Sequence, residues 1–428
     1  HILLEKFLGF IEKILKLRVY IKLLHQYPAA LMQLIDLFSK SDYVAEIITR
    51  YPFLLDEFAN AKNLFAPYSE AKLDDELRQS LLAIPEDDLA NQMECLRDFK
   101  LVQLLRVVAA DLAATLPLMK VSDHLTFTAT VIIRYAKAIA WESLTSEVGY
   151  PLNENNERLS MQDFAIIAYG KLGGIELSYD SDLDLVFLHT DVHTGITTDS
   201  EKPITNSEFF VRLAQRIIHI LSARTRRGVL YEVDTRLRPS GSAGLLVHSL
   251  SSFSIYQREK AWTWEQQALV RARLISGSKE LEKDFWRLRA EIISRQRDTA
   301  KLKADVKLMR EKMLSQLEKI PEGKFDIKQS MGGINTIEFM VQFFALNYGH
   351  KYMSLYEYTD NIRILEAVAK EKLLPERDAE YLSKVYRTYR RVVHHSSVHK
   401  TSVVLDAQQF VQERQFVELM WKQLFEVI

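Results

Sequence analysis

The hydrophobic period of this 428-residue chain changes twice, and that change limits its fold more than any single motif. Before about residue 163 and after about residue 280, apolar residues recur at spacings of three and four, the signature of amphipathic helices. In "YPAALMQLIDLFSKSDYVAEIITRYPFLLDEF", Pro52 stands where a first helical turn can open. "DDELRQSLLAIPEDDLANQMECLRDFKLVQLLRVVAADLAATL" keeps the habit, with one break at Pro85. "SDHLTFTATVIIRYAKAIAWESLTSEV" continues it from a cap-like Ser122-Asp123. In the middle, "FAIIAYG", "SDLDLVFLH" and "GVLYEVDTRLRP" are short apolar runs that read as buried strands. Between the last two, "SEFFVRLAQRIIHILSAR" has helical period, with Ser207 as its expected cap. Glycine is scarce, 14 in all, and most of it falls between Gly149 and Gly244. The expected fold class is therefore α+β and mostly helical: a helical part over 1–115, a small sheet domain over 116–278, and a helical bundle over 279–428.

Composition narrows the function classes. A net charge of −1 gives no bulk electrostatic case for nucleic acid or an anionic membrane, and aromatic residues are not interleaved with a basic patch. One cysteine, Cys95, rules out a disulfide framework and a cysteine-based zinc site, which fits a reducing cytoplasm. No apolar run approaches the ~18 residues of a transmembrane helix. The chain opens at His1 inside a helical pattern, so it is expected to be a piece of a longer polypeptide.

The chemistry sits in "GGIELSYDSDLDLVFL", residues 173–188. In a strand, residues i and i+2 share a face, so Asp182 and Asp184 project together while Leu183, Leu185 and Phe187 pack the other way. Neighbouring carboxylates repel unless a cation lies between them, and hard oxygen ligands with a substrate phosphate suit Mg²⁺. In "VLYEVDTRLRP", strand alternation puts Glu232, Asp234, Arg236 and Arg238 on one side and Val229, Tyr231, Val233 and Leu237 on the other. Asp234 is then a third carboxylate, and the two arginines can fork onto phosphate oxygens or pair with nearby acids at the surface. Gly173 and Gly174 allow backbone N–H groups close to a phosphate, and Lys171 adds charge. Neither a Walker A loop nor a G-x-G-x-x-G fingerprint is present. Trp262, Trp264 and Glu265 in "AWTWEQQALVRAR" are expected to pack the seam to the tail, with Arg271 and Arg273 structural. His394 and His395 are expected to be packed or solvated rather than ligands.

Gly-Gly, a D-x-D strand and a later single Asp resemble the DNA-polymerase-β-like nucleotidyltransferases. "YGKLGGIELSYDSDLDLVFLH", "GVLYEVDTRLRPSGSAGLLV" and "AWTWEQQALVRARLISG", with "RDFKLVQLLRVVAADL", "TLPLMKVSDHL" and "FDIKQSMGGINTIEF", resemble the glutamine synthetase adenylyltransferase family from about residue 70 onward. That family carries an AMP-removing and an AMP-attaching module in one polypeptide, and this chain is more similar to the second, C-terminal one. The resemblance implies a polymerase-β-like sheet domain between helical bundles. It implies two Mg²⁺ ions held by Asp182, Asp184 and Asp234, with ATP as substrate. It implies transfer of AMP to a tyrosine of glutamine synthetase, Asp234 helping to deprotonate that hydroxyl. PII signal protein is implied as a regulator, docking with glutamine synthetase on the terminal helices, and glutamine as an effector. The alternatives are the phosphorolytic AMP-removing half and a non-catalytic nucleotide- or PII-sensing module. The chain departs from the family pattern at Thr336, where an acid usually precedes the Ile-Glu pair.

Overall fold

The computed structural model describes residues 2–59, 64–193, 195–316 and 320–426. It opens with helices α1 (Ile2–Ile14), α2 (Arg18–Gln26), α3 (Pro28–Lys40) and α4 (Asp42–Arg50), then a 3-10 segment, Pro52–Ala59. Helices α5 (Glu70–Leu82), α6 (Leu89–Leu112) and α7 (Leu118–Val148) follow, with the break at Pro85 where expected. Ser41 caps α4, accepting from the Val44 N–H at 3.2 Å. α7 starts earlier than its sequence suggests. Pro117 occupies the cap position with φ −62° and ψ 147°, so Ser122 falls inside the helix, fully buried.

The sheet unit comprises β1 (Phe164–Ala168), a single turn α8 (Gly170–Gly173), β2 (Leu183–His189), α9 (Asn206–Ser222), β3 (Val233–Asp234), β4 (Val247–Ser249), α10 (Leu250–Glu259), α11 (Thr263–Leu269) and β5 (Arg273–Ser276). The strand order is β3-β2-β1-β5, with β4 also on β2. β1 pairs antiparallel with β2 and β5, whereas β3 and β4 pair parallel to β2 at successive stretches of one edge. The cap of α9 is Thr205, not Ser207: its hydroxyl accepts from the Glu208 N–H at 3.2 Å.

The tail contains α12 (Lys279–Ile293), α13 (Thr299–Ser315), β6 (Lys324–Asp326), α14 (Ile334–Tyr348), α15 (Asn361–Lys370), α16 (Glu376–His399), β7 (Val404–Asp406) and α17 (Val411–Phe425). Residues 317–319, the end of the helix-like "ADVKLMREKMLSQLEK", lie outside the described residues. β6 and β7 form a separate antiparallel pair.

Burial explains why these layers stack. Phe164, Ile166, Ala168, Leu183, Leu185 and Phe187 pack into one apolar core with α9 and the helices from α1 to α7. The opposite sheet face, with Ala165, Ile167, Val186 and Leu188, packs against α10, α11 and α12. A third core lies among the tail helices. Burial at roughly 25 cal/mol per Å² of apolar surface makes these three cores the main source of stability.

"GVLYEVDTRLRP" is not a long strand. Only Val233–Asp234 is extended in the sheet, because the Asp234 carboxylate accepts from the Arg236 N–H at 2.8 Å and turns the chain. The expected alternation fails beyond that point: Tyr231 and Val233 pack on the first core, but Leu237 packs on the opposite one. Among the described residues, no helix is long and apolar enough to cross a membrane.

Candidate active site

Asp182 immediately precedes β2 and Asp184 is its second residue, so the two acids flank Leu183 at the mouth of the strand. The parallel pairing of Leu183 with Val233 and Asp184 with Asp234, tied by Leu183 N–H to Glu232 C=O at 2.9 Å, brings in the third acid. One carboxylate oxygen from each of Asp182, Asp184 and Asp234 lies within 4.8 Å of the others. Asp182 is exposed; the other two are half-buried.

Asp184 carries the electrostatic strain. Burial first, then the neighbouring Asp182 and Asp234 charges, push its carboxyl up to about 6, although Lys171 and Arg271 pull against this. Asp234 moves the other way. The side-chain hydrogen bonds of Arg236 outweigh burial and hold its carboxyl below the usual range. Arg236 Nε sits 2.8 Å from Asp234 Oδ2, so this arginine covers a candidate ligand rather than standing free for phosphate. Three convergent hard-oxygen donors, one raised in pKa by burial and then by the other two, fit a divalent cation.

The other expected contacts fall in varied places. Gly173 and Gly174 are buried, and their missing side chains allow close packing against Arg271. A Cβ on Gly173 would lie 1.9 Å from the Arg271 carbonyl oxygen, and one on Gly174 would lie 2.7 Å from the Arg271 guanidinium. The glycine that touches the acidic site is Gly170, at φ +54°, where a Cβ would lie 2.2 Å from Asp184 Oδ2. Its signal in sequence is its place between a strand and the D-x-D. Burial first, then the Lys328 charge, lowers the Lys171 ammonium below its ordinary value, with Glu338 and Asp182 opposing. Arg238 builds the loop after Asp234: it donates to the carbonyls of Thr235 at 2.9 Å, Ser242 at 3.1 Å and Gly244 at 3.2 Å.

At the seam, the sequence expectation holds only in part. Trp262 is 70% exposed, while Glu265 is buried and accepts from the Trp262 N–H at 2.9 Å. Arg271 is structural, as expected: it bridges Glu176 and Glu338. His394 is fully buried beside Arg390 and is not one of the acidic group Asp182, Asp184 and Asp234. Glu176, fully buried, was not legible as special in sequence, although a glutamate inside the apolar "GGIELSY" is a signal of a buried partner.

A small mixed sheet whose parallel edge gathers three carboxylates defines a class: a candidate divalent-cation centre suited to chemistry on phosphate esters. The chain belongs to the glutamate-ammonia ligase adenylyltransferase family, whose model matches residues 31–288. A second model, GlnD PII-uridylyltransferase, matches residues 300–400. Relatives named bifunctional glutamine synthetase adenylyltransferase/adenylyl-removing enzyme include those of Thioalkalivibrio sulfidiphilus (44% identical), Hahella chejuensis (44%) and Pseudomonas putida (45%). Each alignment covers 99% of this chain but 44% of the relative, so the chain spans less than half the length of the proteins it matches.

Proposed function

We propose that this chain transfers AMP from ATP to a tyrosine hydroxyl of glutamine synthetase and releases pyrophosphate. The observation that carries this reading is the convergence of Asp182, Asp184 and Asp234 within 4.8 Å in a chain of this family. The phenol oxygen forms the new bond to the α-phosphorus, the bond from that phosphorus to the bridging oxygen breaks, and the phenol proton leaves to a base. A free phenol has a pKa of about 10, so it needs help at neutral pH. Asp234, held ionised by Arg236, is the group assigned to accept that proton once Arg236 moves off it. Two Mg²⁺ ions held by the three carboxylates would neutralise the triphosphate and the leaving pyrophosphate. Lys171, and Arg236 when it swings outward, are assigned to the phosphates. The site works in the cytoplasm, where ATP and glutamine synthetase meet. The match of residues 300–400 to a PII-uridylyltransferase supports the tail helices as the part that answers to PII.

The relatives' names also carry adenylyl removal, in which phosphate attacks the same phosphorus and ADP leaves. One assay separates the two readings. The chain is mixed with unmodified glutamine synthetase and ATP labelled at the α-phosphate, and in parallel with adenylylated enzyme and phosphate. Label transfer is expected, together with its loss in a folded Asp184→Ala variant. Phosphate-dependent ADP release without transfer would replace this reading by the second; full activity of Asp184→Ala would remove the site altogether.

A further inference from the structure

Behind the acidic site lies a second polar cluster, in which Glu176 and Arg271 are buried and Glu338 is half-buried. The Glu176 carboxylate accepts from Tyr386 Oη at 2.7 Å and Asn361 Nδ2 at 3.1 Å, and pairs with Arg271 and with Arg390 at 3.4 Å. Glu338, from α14, accepts from Arg271 Nη1 at 2.7 Å and Tyr386 Oη at 3.0 Å. Arg271 and Tyr386 thus stand between two carboxylates, one from the sheet unit and one from the tail. Further charged groups surround them: Lys171 faces Glu338, Arg390 pairs with Glu176, and the buried His394 lies 3.2 Å from Arg390 Nη2, its imidazole held well below its ordinary pKa by burial and then by the Arg390 charge.

The cluster bears directly on the turn that supports Asp184. Arg271 closes over Gly173 with its carbonyl and over Gly174 with its guanidinium. Thr359 Oγ1, from the tail, donates to the Gly173 carbonyl at 2.8 Å. Ile175, a β-branched residue, is held at φ 56°, a left-handed conformation that persists only where its surroundings enforce it. At the other end of this turn, Gly170 lies against Asp184 and the Tyr169 N–H donates to the Asp184 carbonyl at 2.9 Å.

We propose that Glu338 is a positioning residue for the acidic site: through Arg271 and Glu176 it fixes the turn from Gly170 to Glu176, and so the placement of Asp184. The assignment rests on the cation-dependent reading above. It gives the tail helices a defined share in a site whose carboxylates all come from the sheet.

The test compares wild type, Glu338→Gln, Thr359→Val and Asp184→Asn. Thr359→Val cuts the tie to Gly173 without removing a charge. The probes are Mn²⁺ alone, titrated by electron paramagnetic resonance, and amide exchange of the 169–176 peptide in metal-free protein. Both positioning variants are expected to keep wild-type circular dichroism and wild-type exchange elsewhere. In them, exchange of that peptide rises and Mn²⁺ affinity falls about tenfold, the scale of losing an outer-shell partner. For AMP transfer, kcat is expected to fall more than the KM for ATP rises. A folded Glu338→Gln protein with unchanged exchange and Mn²⁺ affinity overturns the assignment. If that variant does not fold, the same null result with Glu338→Asp, which keeps the charge but shortens the reach to Arg271, overturns it. Wild type binding Mn²⁺ no better than Asp184→Asn would mean that the cation reading itself has failed, and the positioning role with it.

Discussion

Asp184 shows how far a single side chain can be bent by its neighbours. With its pKa at about 6, it takes a proton as pH falls through 6 and then cannot hold a cation. Apparent Mn²⁺ affinity is expected to be flat above that value and to fall by about tenfold per unit below it. The sign for stability is opposite to that of a salt-bridged acid. A raised carboxyl costs the folded state above pH 6 and costs nothing below its ordinary value near 3.8. Asp184→Asn is therefore expected to stabilise the cation-free protein at pH 8 by about 3 kcal/mol, read from urea unfolding, and to leave it nearly unchanged at pH 3.5. A second residue-level prediction concerns Thr336, which is fully buried and accepts from Arg310 Nη2 at 3.2 Å. Arg310 is itself buried, its Nε and Nη1 atoms without partners, and burial drags its guanidinium down to about 10. Thr336→Asp, close in volume, supplies the missing carboxylate. It is expected to raise the urea midpoint at pH 7, with a gain of about 1–3 kcal/mol that disappears as the new acid protonates below pH ~4.

At the scale of elements, the turn between β1 and β2 decides the geometry of the site. Gly170→Ala places a Cβ in the left-handed region and against Asp184 Oδ2, so it should cost about 1–2 kcal/mol in urea unfolding and loosen cation binding. Unchanged Mn²⁺ affinity in that variant would separate the turn from the site. How much of this was legible beforehand follows from the range of the forces. β1, β2 and the long helices were readable because their apolar spacing is local and burial acts on each segment alone. The pairing of Asp184 with Asp234 was readable because two residues of true strand suffice to set it. The rest of "VLYEVDTRLRP" was not, since the Asp234 carboxylate and the Arg238 guanidinium bond within the loop and override alternation. Arg238, expected at phosphate, and the two glycines, expected at backbone contacts, are absorbed by packing that only the folded chain brings together. β5 and the β6–β7 pair are short and flanked by helix, so their sequences carry no period of their own.

For the whole molecule, the connections run between distant segments. Ser41 Oγ, the cap of α4, donates to the Val398 carbonyl in α16 at 2.9 Å, and Val398 belongs to the apolar core of the first helices. Arg390 ties α16 to Ser122 in α7 at 2.8 Å and to the Glu176 carbonyl at 2.7 Å. Head, sheet and tail should therefore unfold in one calorimetric transition. Arg390→Met leaves Glu176 short of a buried counter-charge and should cost about 3–5 kcal/mol, splitting the transition so that the tail melts first. A single unsplit transition, merely shifted, would show that the apolar cores alone hold the parts together. The guanidinium of Arg236, folded back on Asp234, has a consequence for how such a protein behaves between turnovers. It is a tethered, 77% exposed competitor for that carboxylate: on the proposed function a bare ion must displace it, whereas a triphosphate offers the arginine a second partner. An exposed pair of this kind is weak, so on the proposed function the bias it sets is small, and it favours an ion that arrives with nucleotide over the ion alone.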